Sequence, residues 1–245
     1  MIIIIVAAFA AGAINSIAGG GTLLSFPALV WIGRNPILAN ATNSVALWPG
    51  SFSAMVGFRR ELHGLPRWLW LLTLPSLAGG ALGALLLLRT STKTFTHIIP
   101  FLILGATLLL AAQELISRRL QRVTKGKRWI VFAFVFQFLV GIYGGYFGAG
   151  MGILMLAALG LIGLTDLHQM NGLKNLLAIC INGIAAVWFA ISGAVLWRDA
   201  VIMAVAALAG GYAGARMARR LGRKFVRGAV IVIGLTMTVA LWLKH

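Results

Sequence analysis

Two glycine-rich interruptions of long apolar stretches hold the residues best suited to bind a ligand in this chain. Their members are Gly19, Gly20, Gly21 and Thr22 in the first interruption and Gly148, Gly150 and Met151 in the second. Because glycine costs about 1 kcal/mol relative to alanine inside a helix, both runs predict a helix that stops and restarts. A restarting helix presents unpaired amide N–H groups and the positive end of its dipole, so the chemistry expected at both places is anion binding.

Polar side chains inside apolar segments are the second group of candidates, since a bilayer makes them costly unless they serve a function. They are Asn15, Thr42 and Asn43 in the first half of the chain and Asn171, Lys174 and Asn175 in the second half. The ammonium of Lys174 suits an anion, although it can equally extend to the membrane surface or pair with Asp166. Together with the glycine breaks, these side chains predict a substrate site for an oxyanion.

The sequence gives little support for a catalytic function. Asp and Glu total 4 and His totals 4, with no paired carboxylates, nucleotide-binding loop or metal-ligand spacing. Cys180, the only cysteine, lies in an apolar run and is interpreted as a small buried hydrophobic residue. The sequence therefore predicts no catalytic residue, no metal and no cofactor, and the chain is not expected to be an enzyme.

The elements that must position these residues are membrane helices. The chain has 245 residues, 60% hydrophobic and 10% charged, with a mean hydropathy of +0.97, which is typical of a polytopic membrane protein. Its net charge of +17 comes from basic residues clustered between apolar segments. That pattern fits membrane topology rather than nucleic-acid binding, so the predicted partners are the lipid bilayer and a small anionic substrate, with a homodimer left open.

Eight apolar segments follow one another along the chain. They fall at about 1–33, 40–58, 68–88, 96–116, 130–163, 173–197, 199–215 and 228–243. The first begins without the basic region of a secretory signal, so we expect it to belong to the mature fold.

The two halves of the chain repeat one another. LAGGALGA at 77–84 recurs as LAGGYAGA at 208–215, an offset of 131, and Gly12, Gly19 and Gly21 recur at an offset of 129 as Gly141, Gly148 and Gly150. Residues 39–43 match 171–175 at an offset of 132. We therefore predict an all-α polytopic membrane protein with a first repeat at 1–117, a basic cytoplasmic linker at 118–129 and a second repeat at 130–245.

The distribution of basic residues distinguishes two topologies. If all eight segments cross the membrane, the two sides receive 11 and 10 basic residues, which is no bias. If each glycine-broken segment instead enters and returns on its own side, the counts become 16 and 5. The positive-inside rule favours the second arrangement: inverted repeats, each with one re-entrant helical hairpin and three transmembrane helices.

These motifs also resemble a known family. GAINSIAGGGTLLSFPALVWIGRNPILANATNS in the first half, with GGYFGAGMGI, MNGLKNLLAICING and GGYAGARMARRL in the second, is similar over essentially the whole chain to the TauE/SafE sulfite exporters, also called sulfonate uptake permeases. The chain has Asn43 where that family often has serine. The resemblance implies a transporter of small, often sulfur-containing anions such as sulfite, thiosulfate, sulfoacetate or other sulfonates.

Residues and resemblance together predict a multi-pass secondary transporter of the bacterial inner membrane, working by alternating access around a mid-membrane site. The alternative is a membrane scaffold or assembly factor that transports nothing, in which the intramembrane polar groups serve only helix packing.

Overall fold

The computed structural model describes residues 1–17, 20–57, 66–120, 128–161, 164, 166–221 and 223–243, and all regular secondary structure among them is helical. The described residues form eleven helices, in chain order α1 (Ile2–Ile17), α2 (Thr22–Trp31), α3 (Pro36–Gly57), α4 (Arg67–Trp70), α5 (Thr73–Arg89), α6 (Thr92–Leu120), α7 (Arg128–Tyr146), α8 (Met151–Leu161), α9 (Leu167–Ile191), α10 (Trp197–Leu221) and α11 (Arg223–Leu243). The predicted all-α class is confirmed.

Within the part of the chain that the structure describes, three stretches are long and apolar enough to cross a bilayer: Trp68–Arg89, Thr92–Ala112 and Gln169–Ile191. Shorter apolar helices accompany them, at Ile2–Asn15, Thr22–Trp31, Val131–Tyr146, Met151–Gly160 and Gly228–Ala240. Large apolar side chains such as Leu74, Phe101 and Val205 point outward, as expected of a surface that faces lipid rather than water. The chain is an α-helical membrane protein.

Both long apolar segments break where the glycines predict. The first break separates α1 from α2, and the second separates α7 from α8. Gly20 has φ +94° and Gly148 has φ +78°, in the left-handed region that residues with a Cβ rarely adopt. The glycines therefore end one helix and allow the chain to turn before the next helix begins.

Close helix packing depends on glycines that have no room for a side chain. On α10, Gly210 lies directly against the backbone carbonyl of Phe9 in α1, and on α5, Gly79 lies against the carbonyl of Phe138 in α7. Phe138 follows Phe9 by 129 residues and Gly210 follows Gly79 by 131. The same contact is thus formed twice, at positions separated by the offsets found in the sequence.

Candidate functional site

The two glycine breaks lie against the same face of α6. A Cβ at Gly20 would be 3.7 Å from Leu110 Cδ2, and a Cβ at Gly150 would be 3.5 Å from Ala106 Cα. Ala106 and Leu110 are four residues apart and both are buried, so they occupy one side of the helix about one turn apart. The fold therefore brings together two breaks that are 130 residues apart in the sequence.

Aromatic packing joins the same parts of the chain. The ring of Phe26 in α2 meets Phe147, beside the second break, edge to face at 5.4 Å between centroids. It also meets Phe95 in α6 at 6.4 Å. Edge-to-face pairs of this kind add to the stability gained by burying the rings. Helix α2, the second break and α6 are thus packed into one core.

Asn15 forms a hydrogen bond that stabilises the first break. Its Oδ1 accepts a hydrogen bond from the Gly21 amide at 2.8 Å. Gly21 lies so close to the Ala11 carbonyl that no Cβ would fit. A side chain near the end of α1 therefore caps the amide that comes just before α2. Thr22, the first residue of α2, follows directly, while Gly19 lies outside the described residues.

Ser25 connects Asn43 to this break, and sequence reasoning missed it. The Ser25 hydroxyl lies 2.5 Å from Asn43 Oδ1 and 3.2 Å from the Gly21 carbonyl. Both side chains are buried, so the contact fixes α3 against the first turn of α2. The available signal was a single serine within an apolar half-helix, four residues after Gly21.

Thr42 points elsewhere. Its hydroxyl oxygen accepts a hydrogen bond from the Leu196 amide at 2.9 Å, just before α10 begins. The side chain is fully buried, and the contact pairs an amide that the helix itself cannot pair. The Thr42 hydroxyl is therefore paired with the start of α10, and no hydrogen bond joins it to a described residue of either glycine break.

Replacing Thr42 tests that difference. We expect Thr42→Val to lower the free energy of unfolding by about 1–3 kcal/mol, because it leaves the Leu196 amide without its acceptor in a buried position. Anion binding should be unchanged. Thermal melting of the purified variant, with and without a bound anion, measures both effects, and a variant of normal stability that no longer binds anions would place Thr42 in the site after all.

Two polar side chains lie at the second break. The Tyr143 hydroxyl donates to the Ala149 carbonyl at 2.5 Å, which ties the end of α7 to the residue two positions before α8. Asn182 in α9 also comes close, with Oδ1 4.0 Å from where a Cβ on Gly148 would be. Asn182 is a polar group near the break that was not among the residues predicted for the site.

Lys174 lies beside the first turn of α8. A Cβ on Gly152 would be 3.3 Å from Lys174 Cδ, so the aliphatic stem runs over the helix start just after Met151. The ammonium Nζ donates to Asn171 Oδ1 at 3.2 Å, one turn earlier in α9. Asn175, the next residue, is half-buried. Lys174, with Asn171 bonded to it, thus lies beside the N-terminal end of α8.

The groups near the two breaks are of the types that donate hydrogen bonds to an oxyanion: backbone amides, carboxamides and one ammonium. Two of the amides already have partners, since Gly21 donates to Asn15 and Met151 donates to the Gly148 carbonyl. Within the described residues there is no group of three His, Cys, Asp or Glu side chains that could hold a metal ion.

Comparison with known proteins gives consistent matches over nearly the whole chain. Residues 4–241 match the family model described as sulfite exporter TauE/SafE. The chain is 31% identical to the probable membrane transporter protein YfcA of Escherichia coli strain K12, over 96% of this chain and 86% of that one. It is 30% identical to a probable membrane transporter protein of Haemophilus influenzae, over 94% and 89% of the two chains. No solved structure matches the chain at a significant level.

Proposed function

The chain belongs to the TauE/SafE sulfite exporter family, and from that premise we propose that it is a secondary transporter of a small sulfur-containing oxyanion. Membership confirms the resemblance seen in the motifs, and the relatives are named as membrane transporters. The proposed substrates are sulfite, thiosulfate, sulfoacetate or another sulfonate. The proposed location is the bacterial inner membrane, spanned several times.

One observation carries this proposal: the two glycine breaks lie about one turn apart against α6. A break inside a bilayer leaves backbone groups that lipid cannot satisfy, and it is tolerated where it borders a binding cavity. Two helix starts close together supply amides and two positive dipole ends to the same region. An oxyanion is the ligand that such a region suits best.

The proposed topology is a pair of inverted repeats with a re-entrant hairpin in each, and the ion pair of Arg34 with Asp199 supports it. Arg34 Nε lies 2.8 Å from Asp199 Oδ2. Arg34 follows the first hairpin and Asp199 begins α10, and these two places fall on opposite sides of the membrane if all eight apolar segments cross. They fall on the same side if each hairpin returns.

The repeated contact of Gly79 with Phe138 and of Gly210 with Phe9 supports two equivalent units. In both cases a helix late in one repeat packs on the first helix of the other. We propose repeats at 1–117 and 130–245, joined by the basic segment 118–129. Alternating access then consists of movement of one unit against the other around the breaks.

A thermal-shift screen tests the function. Purified protein in detergent is melted with sulfite, thiosulfate, sulfoacetate, sulfate, phosphate and chloride. A ligand that binds only the folded state stabilises it by about 2.7 kcal/mol at a concentration of 100 times its dissociation constant. We expect the melting temperature to rise with the sulfur oxyanions. No rise with any of these anions would contradict the proposal and favour the scaffold.

Two glycine variants locate the site. Gly20 has φ +94° and Gly33 has φ +83°, so Gly20→Ala and Gly33→Ala both impose left-handed backbone on an alanine. Gly33 has nothing within 4 Å of a built Cβ and lies at the end of α2 rather than at its start. We expect Gly20→Ala to lose the anion-dependent shift and Gly33→Ala to keep it. Equal loss in both variants would mean that the shift does not report on the break.

A further inference from the structure

Asn40 is a buried side chain with an unused hydrogen-bond acceptor. It lies in the second turn of α3 and is 0% exposed. In the part of the chain that the structure describes, its Oδ1 is the one buried side-chain oxygen or nitrogen without a hydrogen-bond partner. A buried acceptor without a partner lowers the stability of the fold. Such an atom is therefore expected where it binds a ligand. The sequence indicated its neighbours Thr42 and Asn43 but not Asn40.

The orientation of the carboxamide is fixed by its other atom. Asn40 Nδ2 donates to the Tyr146 carbonyl at 2.9 Å. Turning the group over would set two oxygen atoms against each other, so Oδ1 is the acceptor that remains. Since both atoms belong to one planar group, Oδ1 lies close to the C-terminal end of α7.

That end of α7 carries partial negative charge. The amides of Phe147 and Gly148 both donate to the same carbonyl, that of Tyr143, at 2.9 and 3.1 Å. One carbonyl thus takes two donors at the point where the helix stops. The other carbonyls of the last turn keep the negative end of the helix dipole. An amide oxygen beside a helix C-terminus attracts a cation, in contrast to the helix starts at the breaks.

We propose that Asn40 Oδ1 and carbonyl oxygens at the end of α7 bind a small monovalent cation, Na⁺ being the one to test. These ligands are neutral, whereas Ca²⁺ and Mg²⁺ sites in proteins use carboxylates. Carbonyls of unwound segments and C-terminal helix ends are suitable Na⁺ ligands in membrane transporters built from broken helices.

The position of the site gives the cation a role. Asn40 belongs to α3, while Tyr146 leads directly into the second glycine break, so a bound cation ties α3 to that break. At the repeat offset of 132, the residue equivalent to Asn40 is Gly172, which has no side chain. The proposed cation site is therefore not repeated at that position. Its use as a coupling ion rests on the proposed transport function, whereas the binding itself does not.

The test measures melting of the full chain in detergent in NaCl, KCl and choline chloride at equal ionic strength. We expect the melting temperature to rise with Na⁺ concentration and not with choline. Asn40→Leu removes the oxygen and should raise the half-saturating Na⁺ concentration by about tenfold or more. Ser44→Ala is the matched control, because Ser44 lies one turn further along α3 and donates only to the Asn40 backbone carbonyl.

A second variant covers the case in which Asn40→Leu does not fold. Asn40→Asp keeps an acceptor and adds negative charge, but its second oxygen replaces the donor that faces the Tyr146 carbonyl. Without Na⁺ this variant should melt below the wild-type protein, and Na⁺ should raise its melting temperature by more than it raises that of the wild type, because the cation offsets the repulsion between the oxygens. The proposal is overturned if the wild-type protein melts identically in the three salts, if Asn40→Leu keeps the full Na⁺ response, or if Asn40→Asp leaves that response unchanged.

The anion screen separates this inference from the proposed function. A shift with sulfur oxyanions but none with Na⁺ supports transport and overturns the cation site. A shift with Na⁺ but none with any anion supports the cation site and contradicts the proposed transport of these anions. Loss of the anion shift in Asn40→Leu with an intact Na⁺ response would assign Oδ1 to a hydroxyl group of the anion and overturn the cation site.

Discussion

Gly210→Ala is expected to destabilise the protein severely, although alanine is the better helix former. A methyl group at this position would meet the Phe9 backbone, which no side-chain rotation can move. Overpacking of this kind costs about 1–3 kcal/mol, and we expect the upper end because both partners are backbone. The melting temperature should then fall by roughly 6–12 °C, at about 2–4 °C for each kcal/mol in a chain of this size.

Two further variants complete this test. Gly105→Ala is the control, because Gly105 also lies within a helix but has nothing within 4 Å of a built Cβ. It should leave the melting temperature unchanged or raise it slightly. Gly79→Ala should resemble Gly210→Ala, since Gly79 makes the equivalent contact with Phe138. A melting temperature of Gly210→Ala equal to that of Gly105→Ala would contradict the close approach of α1 and α10.

Arg34→Ala is expected to be damaging although Arg34 lies at the protein surface. Asp199 is 2% exposed whereas Arg34 is 42% exposed, so removing the arginine leaves a buried carboxylate without its partner. Breaking a buried pair in this way costs about 3–5 kcal/mol, and the partial exposure of Arg34 argues for the lower end. Thermal melting of Arg34→Ala in detergent measures the loss.

The reverse change should be milder. Asp199→Asn leaves an arginine that water can solvate, so we expect less than half the loss. The double variant Arg34→Ala with Asp199→Asn should be more stable than Arg34→Ala alone, because it removes the uncompensated charge. If the double variant instead loses the sum of the two single losses, the pair makes no net contribution.

The positions of the helix breaks could be predicted from the sequence because they depend on local chemistry. Glycine is unfavourable in a helix and is free to adopt positive φ, and the observed backbone at Gly20 and Gly148 uses both properties. The helical class likewise follows from composition, since lipid leaves the backbone few other ways to satisfy its hydrogen bonds.

Contacts between distant residues could not be predicted. Thr42 has the same spacing as Lys174 within its repeat, yet its hydroxyl pairs with an amide 154 residues away. Arg34 and Asp199 are 165 residues apart, and nothing in the sequence indicated that they form an ion pair. Asn40 lies between two alanines and matches a glycine at the repeat offset. Neither its neighbours nor the repeat therefore indicated a role for it. Such roles depend on which helices pack against each other, and a single sequence does not show that packing.

The contact of both breaks with α6 sets this helix apart from its counterpart, α11, in the proposed second repeat. Ala106 and Leu110 are buried against the breaks, whereas their counterparts at an offset of 129, Leu235 and Val239 in α11, are 41% and 54% exposed. After a duplication, the copy that keeps an inherited contact is constrained, and the other copy is free to drift. We therefore expect random mutagenesis to leave few tolerated replacements at Ala106 and Leu110 and many apolar ones at Leu235 and Val239.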